Sequence, residues 1–107
     1  MAKVKFMVIY PRPKDIEAFE KVYQEKHVPM AVEKLMGKTK FVATKVLNSP
    51  QGMPPFYRIA EIYFPSMEAF QTCAASQGAK ETLAHAVSIS TGGSPIFLVA
   101  EEETFTF

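Results

Sequence analysis

Phe56-Tyr57-Arg58-Ile59-Ala60-Glu61-Ile62-Tyr63-Phe64 runs into Pro65-Ser66-Met67-Glu68-Ala69-Phe70, and the change of character between the two parts decides the fold. The first part is dense in aromatic and β-branched residues and reads as a strand. Ser66 is a natural helix N-cap, and Glu68 falls in the first turn, where the helix dipole favours an acid. Met67, Phe70, Cys73 and Ala74 follow as an apolar helix face.

The same strand-then-helix unit stands upstream. Residues 3–10 begin in polar/apolar alternation and end fully apolar, a strand covered on both faces at its far end. Pro11-Arg12-Pro13 stops it, because proline cannot donate to a ladder. A helix is expected over residues 14–27, with Asp15 near its first turn. Pro29 removes a backbone donor and disfavours helical geometry at Val28, so a break is expected there, with a second short piece to Met36 and Gly37 in the closing turn. Residues 41–47 read as a second strand, and 48–55 as a loop rich in turn formers. After the helix that Ser66 caps, Gly78 is expected to interrupt. Residues 79–87 then resume with Leu83, Ala86 and Val87 on one side. Thr91-Gly92-Gly93 is a turn, residues 96–100 a fourth strand, and 101–107 an alternating tail.

The order is β-α-β-β-α-β, a ferredoxin-like α+β arrangement: a four-stranded antiparallel sheet with its helices on one face. The strands carry apolar residues at both parities, Met7 and Ile9 beside Phe6 and Val8, Ile59 and Tyr63 beside Ala60 and Ile62. The face without helices therefore needs a cover, and the expected one is a second copy of the chain, giving a homodimer through the sheet faces.

Composition narrows the function. The 107 residues suit a single domain spanning 1–107, and 48% hydrophobic residues with nine Phe and four Tyr supply a core. No run approaches the roughly 18 apolar residues of a membrane span, and the chain enters a strand at once, so neither membrane insertion nor a signal peptide is expected. A lone Cys73 fits a reducing, cytoplasmic setting and reads as packing. Residues 1–54 hold ten of the twelve Lys and Arg and five of the eleven acids. Those cations are mostly scattered lysines, unlike the clustered Arg and exposed aromatics of a nucleic-acid site.

The candidate chemistry lies on the first helix. At about 100° per residue, Phe19, Tyr23, His27 and Met30 fall within about 60° of Ile16, while Glu17, Lys21, Gln24, Glu25 and Lys26 point mostly elsewhere. A histidine on that apolar stripe is either a satisfied core residue or a site; Tyr23, one turn before it, shares its face. The helix C-terminus favours the protonated imidazole and burial opposes it. Arg58 and Glu61 are charges inside an apolar central strand, three apart and hence on opposite faces. Whichever faces the helices either orients His27 (Glu61) or holds an anionic or phenolate substrate (Arg58); the alternative for both is a solvated or dimer-crossing ion pair. Tyr10 and Tyr63 end central strands and are read as lining one cavity. His85, about 160° from the direction of Leu83, is read as surface. Two histidines without a Cys cluster make no metal set, and Gly92-Gly93 is no phosphate loop, so no metal or cofactor is expected.

At these residues the chain resembles the EthD family, named for a component of a bacterial ethyl tert-butyl ether degradation system. The matching pieces are Val8-Ile9-Tyr10-Pro11-Arg12-Pro13, the helix Phe19…Tyr23…His27-Val28-Pro29, the stretch from Ala60 to Phe70, and Thr91-Gly92-Gly93. The resemblance implies a dimeric α+β barrel with a ligand cavity between helices and sheet. It carries the family's His-x-Pro histidine onto His27 and a frequent strand acid onto Glu61; no family histidine corresponds to His85. Its relatives imply a cofactor-free lyase or isomerase acting on a small aromatic or polyketide-like molecule, His27 being the general acid/base and Tyr23 a donor to a developing enolate or phenolate. The rival it implies is a non-catalytic binding or accessory protein for a hydrophobic metabolite, associated with an oxygenase in ether degradation. Haem binding is a weaker expectation from wider barrel relatives. A third reading, from the residues alone, has His27 as a purely structural residue in a solid core.

Overall fold

The computed structural model describes residues 3–107. Strand β1 (Lys3–Pro11) leads to α1 (Ile16–Val22), a π-turn (Tyr23–His27) and α2 (Val28–Lys34); β2 (Lys40–Lys45) and β3 (Phe56–Phe64) follow, then α3 (Met67–Ala74), α4 (Gln77–Ile89) and β4 (Ile96–Glu102). The four strands form one sheet in the order β2-β3-β1-β4, every neighbouring pair antiparallel. The ferredoxin-like order expected from the sequence is present, with each helical leg in two pieces.

The helix starts are side-chain caps. Asp15 accepts from the Ala18 N–H, Ser66 from Ala69 and Ser76 from Ala79, each at 3.1 Å. Pro29 does not break the first leg. Instead the N–H of Val28 reaches back to the Tyr23 carbonyl, a five-residue step that resets the ladder. Pro29, which has no N–H to donate, then falls in the first turn of α2 directly after that wide step. The second leg breaks at Ala75–Ser76 rather than at Gly78. Gly78 lies inside α4 because a Cβ there would stand 2.7 Å from the Lys34 carbonyl oxygen of α2. The buried face of α4 is Ala79, Thr82, Ala86 and Ile89, with Leu83 half-buried and Val87 half-exposed, a correction to the expected stripe. β2 ends at Lys45, leaving Leu47 exposed, and β4 continues to Glu102.

The Thr91-Gly92-Gly93 turn clamps the end of β1. A Cβ on Gly92 would stand 1.9 Å from the Arg12 carbonyl oxygen, and the Lys14 N–H donates to Thr91 Oγ1 at 3.2 Å. Only glycine permits so close an approach of two backbones.

Val8, Tyr10, Ala60, Ile62 and Phe64 meet Phe19, Tyr23, Ala31 and Leu35 in the core between sheet and helices. The opposite sheet face carries Met7 and Ile9 beside Glu61 and Ile59, and Leu98 and Ile96 on the edge strand. Among the described residues no element covers that face, and Ile96 and Leu98 are 39% and 45% exposed. No helix among them is long and apolar enough to cross a membrane.

Candidate functional site

The helix-facing stripe delivers a column of rings. Phe19 stacks on Tyr23 (centroids 5.4 Å, 16°) and Tyr23 on His27 (5.8 Å, 24°). Tyr10 stands edge-on to all three from β1, at 5.3, 5.6 and 6.2 Å. These are the offset and edge arrangements that aromatic quadrupoles favour. The Tyr10 hydroxyl is 3.1 Å from His27 Nε2.

Arg58 is the charged residue of β3 that faces the helices. A register shift at Tyr10/Pro11, where Tyr10 pairs with Arg58 and Pro11 with Phe56, lets Tyr57 pack against Phe19 while Arg58 lies under Tyr23. Its guanidinium is 4.9 Å from the Tyr23 centroid, and its Nε and Nη2 donate to Glu20 at 2.9 and 2.6 Å. Arg58 holds the Glu20 carboxyl down at about 2. The cation is thus already neutralised before any anionic ligand arrives.

Glu61 and Tyr63 are corrections. Both lie on the uncovered sheet face: Glu61 is bound by Lys5, and Tyr63 donates to Glu102 at 3.0 Å beneath Lys40. Neither reaches His27. Tyr63 and Tyr10 occupy opposite faces because Tyr10 pairs with Arg58, and Tyr63 lies an odd number of residues beyond it.

His85 is the larger correction. Its Nδ1 is 2.9 Å from His27 Nδ1, with the rings 5.1 Å apart and 16° from parallel. The signal was available in the helix pattern. Measured from the centre of the Ala79/Thr82/Ala86/Ile89 stripe, His85 is only about 80° away at 100° per residue, on its shoulder. Leu83, the reference used for the surface reading, sits on the opposite shoulder.

Burial sets the proton chemistry. It lowers His27 from 6.5 to about 4, assisted by His85, so the imidazole is neutral at pH 7. It pushes Tyr23 up to about 12 and Tyr10 higher still, keeping both phenols protonated. The Tyr23 hydroxyl has no hydrogen-bond partner, alone among buried side-chain polar atoms of the described residues. Leaving such a group unpaired costs about 1–3 kcal/mol.

Two spaces adjoin these groups, and a third borders the second of them. A cleft of about 360 Å³ is lined by Tyr23, Gln24, Val28, Ala43 and Arg58. His27 borders a different space, an apolar crevice of about 20 Å³ with Phe41 and Thr82 in its walls. A further crevice of about 40 Å³ reaches Phe70 and the buried Cys73, and shares Phe6, Leu35, Ile62 and Leu83 with the second. Tyr23 and His27, adjacent in the column, therefore address separate spaces. No group of three or more His, Cys, Asp or Glu side chains converges among the described residues.

The antiparallel sheet, one-sided helices and buried Tyr–His column define a ferredoxin-like α+β protein with a polar cluster under its first helical leg. The chain belongs to the EthD family, whose domain matches residues 12–88. It is 34% identical over 97 residues to an uncharacterised 11.0 kDa protein from the thcB–thcC intergenic region of Rhodococcus erythropolis, covering 89% of this chain and 91% of that one. The structure of an ethyl tert-butyl ether degradation (EthD) family protein from Bacillus halodurans superposes with a TM-score of 0.88 at 26% identity, over 96% of this chain and 100% of that one. A dimeric ferredoxin-like protein of unknown function from Jannaschia shares the fold, with a TM-score of 0.64 at 14% identity over 95% and 99% of the two chains.

Proposed function

We propose that this protein is a cofactor-free acid–base catalyst of the lyase or isomerase class, acting on a small aromatic or polyketide-like molecule. The observation that carries the reading is the Tyr23 hydroxyl, buried without a partner beside a cleft and stacked on a neutral imidazole. A ligand oxygen in the cleft supplies the missing acceptor, and the phenol stabilises the enolate or phenolate as charge develops. His27, neutral at pH 7, accepts the proton from a ligand carbon that reaches past Tyr23 and displaces the Tyr10 hydroxyl from Nε2; positioned proton transfer of this kind supplies about 10²–10⁴ in rate. Arg58, clasped by Glu20, fixes the Tyr23 ring, and Tyr10 orients His27. The uncovered sheet face is proposed to pair with a second copy of the chain, in a cytoplasmic homodimer of two single-domain protomers.

A second reading has its own support. Both ring nitrogens of His27 are engaged, and the crevice it lines is too small for an aromatic ring. A hydrophobic metabolite held at Tyr23 alone makes the protein a binding or accessory partner of an oxygenase, as in ether degradation.

One assay separates the two. Proton exchange at the α-carbon of an enolisable aromatic diketone, benzoylacetone, is followed in D2O by NMR. Acceleration by the wild type that His27→Gln abolishes supports the catalytic reading. Saturable binding without acceleration supports the second, and absence of both across a panel of phenols and aromatic ketones overturns each.

A further inference from the structure

Two histidine nitrogens that face each other at 2.9 Å cannot both carry a hydrogen, and two facing lone pairs would repel. One hydrogen therefore lies between His27 and His85. A neutral pair has two ring hydrogens in all, so the second sits on the outer nitrogen of one ring or the other. Tyr10 decides which. Its hydroxyl is wholly buried, and His27 Nε2 is its hydrogen-bond partner. If His27 Nε2 carried the hydrogen, Tyr10 would have to accept, and its own O–H would be left buried without an acceptor. Tyr10 accordingly donates to His27 Nε2, His27 Nδ1–H donates to His85 Nδ1, and His85 keeps its hydrogen on Nε2.

Adding one proton changes that arrangement in only one way. Three hydrogens on four nitrogens, with one between the rings, place a hydrogen on both outer nitrogens. His27 Nε2 must then donate, and Tyr10 must turn to accept. The Tyr10–His27 bond reverses whichever ring carries the charge, and the His27–His85 bond reverses as well when the charge rests on His85.

We infer that His85 is the positioning partner of His27, setting its tautomer, and the port through which that buried ring exchanges protons with solvent. His27 is 5% exposed, whereas His85 is half-buried at the shoulder of α4. When His27 gains a proton at Nε2, its Nδ1 hydrogen passes to His85 Nδ1, and the His85 Nε2 hydrogen leaves to water: one proton enters and one leaves. The surroundings add no competing charge. Tyr10 from β1 and Tyr23 from the π-turn are neutral phenols, and Arg58 of β3, which reaches only the Tyr23 ring, is met by Glu20 of α1. Glu81, one turn before His85 on α4, is held by Lys34 of α2 at 2.6 Å, while Glu25 and Lys26 beside His27 are exposed.

The inference deepens the proposed role of His27, but its test does not depend on turnover. The chain has two histidines, so long-range proton–nitrogen NMR of the ring nitrogens, recorded from pH 8 to pH 4, resolves both tautomers. The expected result is His27 with Nδ1 protonated and Nε2 bare at neutral pH. On acidification Nε2 should gain its hydrogen in a single transition that moves the ring-nitrogen signals of both histidines together. In His85→Gln, which keeps one bond to Nδ1 but no second ring nitrogen, His27 should keep its Nδ1–H tautomer and gain its Nε2 hydrogen at a pH displaced from that of the wild type; His85→Phe should abolish the Nδ1–H tautomer of His27. Independent titration in the wild type, or a His27 spectrum unaltered by His85→Gln, overturns the inference. An inactive wild type that still shows the coupled transition removes the catalytic reading and leaves this one standing.

Discussion

The guanidinium of Arg58 lies 4.9 Å from the centre of the Tyr23 ring while its Nε and Nη2 grip Glu20, so one residue of β3 fixes two successive turns of the first helical leg. Replacing Arg58 by Met keeps the apolar stem and removes the cation. Glu20, whose side chain is 16% exposed, then retains only the Gln24 amide at 3.0 Å and Lys45 at 3.5 Å. The expected loss is about 2 kcal/mol of stability at pH 7, read from urea unfolding. Adding Glu20→Gln should recover part of it, because the unpaired carboxylate causes the damage. A fully stable Arg58→Met variant contradicts the pairing.

Tyr23→Phe should separate stability from function. Its hydroxyl is buried and unpaired, so deleting it removes a desolvation penalty and should leave the protein as stable or up to about 1 kcal/mol more stable. Ligand binding or proton exchange should nevertheless fall by tenfold or more, in proportion to one lost hydrogen bond of about 1.5 kcal/mol. A stability loss instead means that the hydroxyl has an internal partner.

The element order was legible because caps and strand composition are local. Ser66 announces α3 wherever the chain goes, and residues 56–64 form a strand with the same ends in sequence and structure. The stripe Phe19/Tyr23/His27 was legible for the same reason: a π-turn within it shifts the phase only slightly. The accommodation of Pro29 was not legible, because the five-residue bond from Val28 to Tyr23 has no residue signature. Spacing also separated Arg58 from Glu61, but the face each takes depends on the pairing of Tyr10 with Arg58, a contact between distant strands. His85 was misplaced because α4 is too short of large apolar residues for Leu83 to mark its buried side. Ala79, Thr82 and Ala86 mark it instead, small residues allowing α4 to lie close to its neighbours.

Gly92→Ala tests the clamp on β1. With its Cβ 1.9 Å from the Arg12 carbonyl oxygen, the turn and the Pro11-Arg12-Pro13 segment must separate. Overpacking of this kind costs about 1–3 kcal/mol. Thermal unfolding should show the drop. The variant should also disturb Tyr10, which immediately precedes the clamped segment, and so shift the ring-nitrogen signals of His27.

Leu98→Glu tests the uncovered sheet face. Leu98 pairs with Met7 across the β1–β4 ladder and is 45% exposed, so a charge there costs little in an isolated protomer. Within two sheets packed face to face, it would lie buried opposite apolar side chains and cost several kcal/mol per copy. Light scattering should therefore register a shift from dimer to monomer, with circular dichroism unchanged. A wild type that is monomeric throughout removes the sheet-face dimer.

The acid side of the stability curve should contain two separate steps. His27 is depressed from 6.5 to about 4, so the unfolded chain takes up its proton first as pH falls. Stability from that group is full above about 6.5 and is lost between there and about 4, by up to about 3 kcal/mol. Glu20 is depressed from 4.5 to about 2, and its contribution is lost only within that lower window. His27→Gln should flatten the upper step and leave the lower one; Arg58→Met should do the reverse. Unfolding free energies measured from pH 7.5 down to the lowest pH at which the fold persists distinguish the two. An upper step that persists in His27→Gln assigns it to another group and removes the burial-driven neutral state on which the acid–base reading of His27 depends.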